Sequence, residues 1–177
     1  GSVLYHDGQF DDARLAISIA QTDHEQGAIL LNYFPVTGLL KQQNKIVGVW
    51  ARDQFSEKEF EISSKVVINA TGVFFFFFMK MDDPFHQNRI SPSQGIHLVV
   101  DKEFLPGDTA IMIPRTDDGR VLFAVPWHNK IVLGTTDTAI NKISAEPVPL
   151  AIEIEFILTH IGRYLSTIPP VANGPFK

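Results

Sequence analysis

Lys65-Val66-Val67-Ile68-Asn69-Ala70-Thr71-Gly72 is an apolar run of strand length that stops in three small residues, and it decides how the rest of the chain is read. Small residues at a strand end let a backbone-sized group of another molecule approach, and the C-terminal ends of strands in α/β layers are where ligands sit. As a bare tripeptide Ala70-Thr71-Gly72 is a weak signal, because an ordinary strand-to-loop turn accounts for it as well. Its weight comes from what precedes it. Asp11-Asp12 stand ahead of Ala13, Ile17, Ala20 and His24, with Leu15 and Ile19 widening the apolar face and Gly27 behind. That pattern predicts a helix with carboxylates at its positive end and a left-handed stop. Residues 28–34 form a nearly continuous apolar run ending at Pro35, the pattern of a strand buried on both faces. Short strands follow at 37–41, 45–52 and 57–62, joined by the hairpin-length stretches 42–44 and 53–56. Helix, buried strand, three-stranded meander, buried strand and small-residue turn together describe part of a nucleotide-binding α/β layer crossed by a β-meander.

Beyond Gly72 the pattern is irregular to about Gln94, with five phenylalanines at 74–78 and a turn-rich stretch from Asp82-Asp83-Pro84 to Ser91-Pro92. The phenylalanine run leaves open a buried plug, a membrane-surface patch or an irregularity of the sequence itself. β character returns at 96–100, 109–113, 121–125 and 130–134. The connections contain Pro106-Gly107-Asp108, Asp117-Asp118-Gly119 and His128-Asn129, turn chemistry suited to an antiparallel sheet. Leu150, Ile154, Ile157, Leu158, Ile161 and Leu165 then recur at helical spacing between Pro149 and Pro169-Pro170.

The expected fold class is therefore α+β, in two parts: residues 3–80 with the helix, buried strands, meander and small-residue turn, and residues 81–168 with the antiparallel sheet and its packed C-terminal helix. Gly1-Ser2 reads as a tag remnant and 169–177 as a tail. The length of 177 residues is enough to bury a core. Lys+Arg 15 against Asp+Glu 20 gives a net charge of −5 with the basic residues scattered, which argues against nucleic acid as a partner. With no cysteine there is no disulfide, thiolate metal site or cysteine nucleophile. No apolar run approaches the roughly 20 residues that span a bilayer.

Few residues stand out as chemical candidates. His97 follows Gly95 by two positions, and alternation places it on the face opposite Ile96 and Leu98, where an imidazole has general-base chemistry. Spacing alone favours a satisfied sheet histidine. Thr135, in Gly134-Thr135-Thr136-Asp137, offers a hydroxyl to a phosphate or carbohydrate at a strand end, although a self-bonded turn explains it too. Asp11-Asp12 as paired catalytic carboxylates lose to the helix cap. Asp82-Asp83 with His86 match no specific metal spacing, so no metal is expected. None of the 12 glycines falls in a G-x-G-x-x-G, and no G-x-x-x-x-G-K-[ST] is present.

Four ordered blocks carry a likeness: residues 5–15 (Tyr5-His6-Asp7-Gly8 to Leu15), Val67-Ile68-Asn69-Ala70-Thr71-Gly72-Val73-Phe74, Pro92-Ser93-Gln94-Gly95-Ile96-His97-Leu98-Val99, and Pro126-Trp127 with Gly134-Thr135-Thr136-Asp137-Thr138. Together they resemble the FAD-dependent glycerol-3-phosphate dehydrogenases, over about residues 3–165. The resemblance implies the middle portion of such an enzyme, with a partial FAD-binding layer followed by the substrate-domain sheet. It implies FAD contacts at Ala70, Thr71 and Gly72 and an adenine contact through the backbone of Val36. His97 becomes the base for the C2 hydroxyl proton during hydride transfer to the flavin, and Thr135 a substrate contact. The implied substrate is glycerol 3-phosphate, the product dihydroxyacetone phosphate and the electron acceptor quinone or oxygen. The implied setting is cytoplasmic, with peripheral association at the inner membrane face as the variant. The family's phosphate-binding basic residues fall outside the chain, and Phe75 to Phe78 replace a mixed polar loop. The chain alone is expected to be inactive and not to hold FAD. A different FAD-dependent amine or hydroxy-acid oxidase, or a non-catalytic interaction module docking through the phenylalanines, are the alternatives.

Overall fold

The computed structural model describes residues 3–87 and 90–170; Gly1-Ser2 and most of the expected tail, 171–177, lie outside the described residues. Two compact units emerge, Gly1–Ala70 with Met79–Pro84, and Thr71–Phe78 with Phe85–Lys177.

In the first unit, α1 runs Asp12–Glu25. Its N-cap is Asp11, whose carboxylate accepts the Arg14 N–H at 2.9 Å, and Gly27 follows its end at φ +92°. Cap and stop are as the sequence implies, yet none of the helix's residues is buried. Three strands, β1 (Val36–Gln42), β2 (Lys45–Arg52) and β3 (Glu59–Ser63), form an antiparallel meander in the order β1-β2-β3. The β1–β2 turn places Gln43 and Asn44 at φ 48° and 64°, the left-handed pair that a two-residue hairpin needs to match strand twist. Phe34 packs on Phe60 with ring centroids 5.4 Å apart, and Lys41 Nζ pairs with the Asp82 carboxylate at 2.8 Å.

Two strand expectations fail here. Residues 28–34 and 65–69 form no ladder, and their apolar side chains are open, Ile29 at 85% and Ile68 at 82% exposure. The pattern is that of strands buried on both faces, but such a strand exists only between hydrogen-bonding neighbours. Among the described residues no strand pairs with either stretch. The stretch expected to be irregular holds a helix instead. A 3-10 turn at Gly72–Phe74 leads into α2 (Phe75–Asp82), which carries the phenylalanines, with Phe77 56% exposed.

The second unit has the larger core. Strands β5 (His97–Asp101), β6 (Ile111–Ile113), β7 (Leu122–Trp127) and β8 (Lys130–Gly134) make an antiparallel sheet in the order β5-β8-β7-β6. A short ladder joins β4 (Ser93–Gln94) to β9 (Thr138–Ala139), a pairing too brief to leave a period in the sequence. Helix α3 (Ala151–Ile161) covers one face of the sheet. Ile157, Ile161 and Leu165 from the helical side meet Leu98, Ile113, Leu122, Ala124, Ile131 and Leu133 from the strands. Each fully buried Leu or Ile among them stabilises the unit by about 1.5–3 kcal/mol. Alternation sends His97 and Val99 to the uncovered face and Leu98 into the core, as the sequence implies.

Candidate active site

His97 starts β5 opposite Gly134, the last residue of β8. The pairing dictates the glycine: a Cβ at 134 would stand 2.4 Å from His97 Cδ2 and 2.9 Å from the Ile96 carbonyl oxygen. The imidazole therefore lies across bare backbone, exposed on the uncovered side of the sheet. Thr135 follows at once, also exposed, with its hydroxyl donating to the Thr136 carbonyl at 3.0 Å. Gly95 is held by the same crowding, since a Cβ there would come within 2.7 Å of Thr135 Oγ1 and 2.4 Å of Thr136 O. His97 and Thr135, two of the residues singled out in the sequence, are thus brought together at one end of the sheet. The Thr135 hydroxyl makes the local bond that the bland reading foresees, and that bond leaves its oxygen lone pairs for a ligand donor.

Beneath them lies a polar cluster that sequence reasoning missed. Glu153, on α3, is 2% exposed. Its carboxylate accepts the Leu150 N–H at 2.8 Å, the Gln94 side-chain amide at 2.9 Å and the Thr136 hydroxyl at 3.3 Å, and it is also bonded by Thr138. Burial on its own would raise the Glu153 carboxyl's pKa, but the hydrogen bonds from Leu150, Thr138, Gln94 and Thr136 outweigh it and hold the group below the usual glutamate value. A signal was present: a Glu three positions after Leu150 at a helix start is the residue that reaches back to an N-cap amide.

A second cluster ties the 116–120 turn to the end of α3. Arg163 makes a bidentate pair with Asp117 at 2.8 and 2.7 Å, and its guanidinium holds the Asp117 carboxyl down to about 2. Buried His160 donates from Nδ1 to the Phe156 carbonyl at 2.7 Å, so its Nε2 is free to accept the Asp117 N–H at 3.2 Å. Arg120 donates to the Asp137 carbonyl at 2.9 Å and lies 4.5 Å over the Phe156 ring, and its hydrogen bond to Asp118 holds that carboxyl well below the usual carboxylate range.

The residues expected to touch FAD occupy open backbone. Val36 is half-buried at the head of β1, an outer strand of the meander, opposite Ala51. Ala70 and Thr71 are exposed, and Gly72 adopts φ +55° with nothing within 4 Å of where a Cβ would stand. That open space beside small residues fits a flat cofactor passing close to the chain. Among the described residues no group of three or more His, Asp or Glu is arranged to hold a metal ion, and no helix is long and apolar enough to cross a membrane.

A family model described as FAD dependent oxidoreductase matches residues 1–174, and the chain belongs to that family. Within it the chain is similar to glycerol-3-phosphate dehydrogenases. It is 38% identical over 171 residues to a probable mitochondrial glycerol-3-phosphate dehydrogenase of Dictyostelium discoideum, covering 92% of this chain and 27% of that protein. With the mitochondrial glycerol-3-phosphate dehydrogenase of Homo sapiens it shares 37% identity over 180 residues, covering 98% and 25%. The X-ray structure of the glycerol-3-phosphate dehydrogenase from Bacillus halodurans, complexed with FAD, superposes with a TM-score of 0.84 at 33% identity, covering 93% of this chain and 33% of that one. The chain spans about a quarter of the length of these curated relatives.

Proposed function

We propose that this chain is a central part of a flavoenzyme that oxidises sn-glycerol 3-phosphate to dihydroxyacetone phosphate. Bound FAD would supply the two-electron acceptor for the hydrogen at C2. The chain's own residues do the rest of what is assigned to them. His97 takes the C2 hydroxyl proton as the C–H bond breaks, and Thr135 orients the substrate from the neighbouring strand end. Val36, Ala70, Thr71 and Gly72 border the cofactor. The observation that carries this reading is the exposed imidazole laid over Gly134 beside Thr135, in a chain of an FAD-dependent family whose matched relatives are named for glycerol 3-phosphate. Reoxidation by quinone or oxygen, and a cytoplasmic location peripheral to the inner membrane face, are proposed on the resemblance alone. Cell fractionation and acceptor assays test those two.

The direct test uses the complete FAD-loaded protein that carries this chain. His97→Asn is expected to lower kcat by about 100-fold or more, the range of a lost general base. Turnover should require the phosphate, so that glycerol, amines and 2-hydroxy acids are poor substrates. Turnover of an amine or a hydroxy acid in preference to glycerol 3-phosphate would move the assignment to another oxidase of the family. Full activity of His97→Asn would remove His97 from the chemistry.

A further inference from the structure

Thr136 is almost fully buried, and its single oxygen bridges two elements. It accepts the Ile96 N–H at 3.0 Å and donates to Glu153 Oε1 at 3.3 Å. Ile96 is the residue from which the chain passes into His97, and Thr136 is two positions beyond the Gly134 that floors the ring. The geometry points to Glu153 and Thr136 as positioning residues for His97: the buried carboxylate holds the Thr136 hydroxyl, and that hydroxyl holds the backbone from which the imidazole projects. This rests on the proposed role of His97 as the base.

The chemistry of the cluster explains why a carboxylate stands there. Every partner is a donor: the Leu150 N–H, the Gln94 amide, and the Thr136 and Thr138 hydroxyls. Gln94 also donates to the Val148 carbonyl at 3.2 Å, which fixes its amide with the NH2 turned toward Glu153. An ionised carboxylate is acceptor-only and satisfies all of them, whereas a glutamine amide would aim two hydrogens at other donors. Three segments meet on this one group, the start of α3, the β4–β9 ladder through Gln94 and Thr138, and the 134–136 strand end, and the entry to β5 joins them through the Thr136 hydroxyl. A small displacement of these segments moves the imidazole relative to a bound substrate, and misplacement by about 1 Å can cost about 100-fold in rate.

The experiment again uses the complete FAD-loaded protein. Thr136→Val keeps the shape and removes the hydroxyl, and Glu153→Gln replaces one of the two acceptor oxygens with a donor NH2. Both are expected to lower kcat by about 10-fold or more with KM within about twofold, and Thr136→Ser to recover most of the loss. Combined with His97→Asn, Thr136→Val should add little further loss, because the group it positions is already gone. In protein labelled with 15N-histidine, the His97 ring signal, assigned by its absence in His97→Asn, should shift in Thr136→Val and return in Thr136→Ser. If Glu153→Gln does not fold, the Thr136 pair carries the test. Thr136→Val costing the same factor with and without His97, and leaving the ring signal in place, overturns the positioning role while His97 keeps its own. If His97→Asn retains full turnover, both the base and its positioning fall.

Discussion

Gly134 shows how one missing methyl shapes the site. With a Cβ 2.4 Å from His97 Cδ2, the ring would have to swing off the strand, and the Ile96 carbonyl at 2.9 Å blocks the backbone from yielding instead. On the proposed role of His97, Gly134→Ala in the complete FAD-loaded protein is expected to lower kcat by about 10-fold or more, through misplacement of the imidazole rather than loss of a chemical group. Steady-state kinetics decide it, and an unchanged kcat would show that the ring finds its place without the bare floor. The candidate site was unevenly legible. His97 and Thr135 could be picked from glycine-flanked strand ends, and alternation gave the correct face for His97. Glu153 carried only its capping spacing to Leu150, while its tie to Thr136 and that of Thr136 to Ile96 span 17 and 40 positions that no local spacing records.

At the scale of elements, the link between the 116–120 turn and α3 has a pH dependence whose sign is fixed. The Arg163 guanidinium lowers the Asp117 carboxyl from 3.8 to about 2 in the folded chain. A depressed carboxylate contributes stability that is fully present above the unfolded value and lost as pH falls through the folded one. The contribution should thus fade between about pH 4 and pH 2. Thermal melting from pH 7 to 2 is expected to show a shallower acid limb for Asp117→Asn than for the wild type, with the curves converging at the lowest pH. Parallel curves would mean that the exposed pair is screened by solvent. Elements were legible where their own residues complete them. The α1 cap at Asp11, the Gln43-Asn44 hairpin and the α3 stripe each need only a short local pattern. Residues 28–34 and 65–69 carry a strand's composition, but a strand is completed by its neighbours, and none among the described residues pairs with them. The phenylalanines of α2 failed in the opposite direction, since a uniformly apolar run has no period to betray a helix.

On the whole-molecule scale the two units differ in how much of their stability they hold internally. Of the ten buried apolar residues among those described, Ala51 alone belongs to the first unit; the other nine lie in the second, where α3 packs on the sheet. Large side chains such as Leu30, Leu31, Val66 and Ile68 remain open in the first. The relatives, about four times as long, have further chain available to cover such surface. In the 177-residue chain alone, amide exchange should be slowest in β5, β7 and β8 and fast in α1, 28–34 and 64–70, where few apolar contacts oppose opening. Flavin binding follows the same division. Gly72 offers open space, and none of the 12 glycines falls in a G-x-G-x-x-G, the loop whose amides surround a pyrophosphate. Titrating the isolated chain with FAD is expected to leave the flavin absorbance and fluorescence those of free FAD. A stoichiometric complex with a perturbed flavin spectrum would show that the small-residue turn and the meander suffice to hold the cofactor, and would overturn the expectation that the chain alone does not hold FAD.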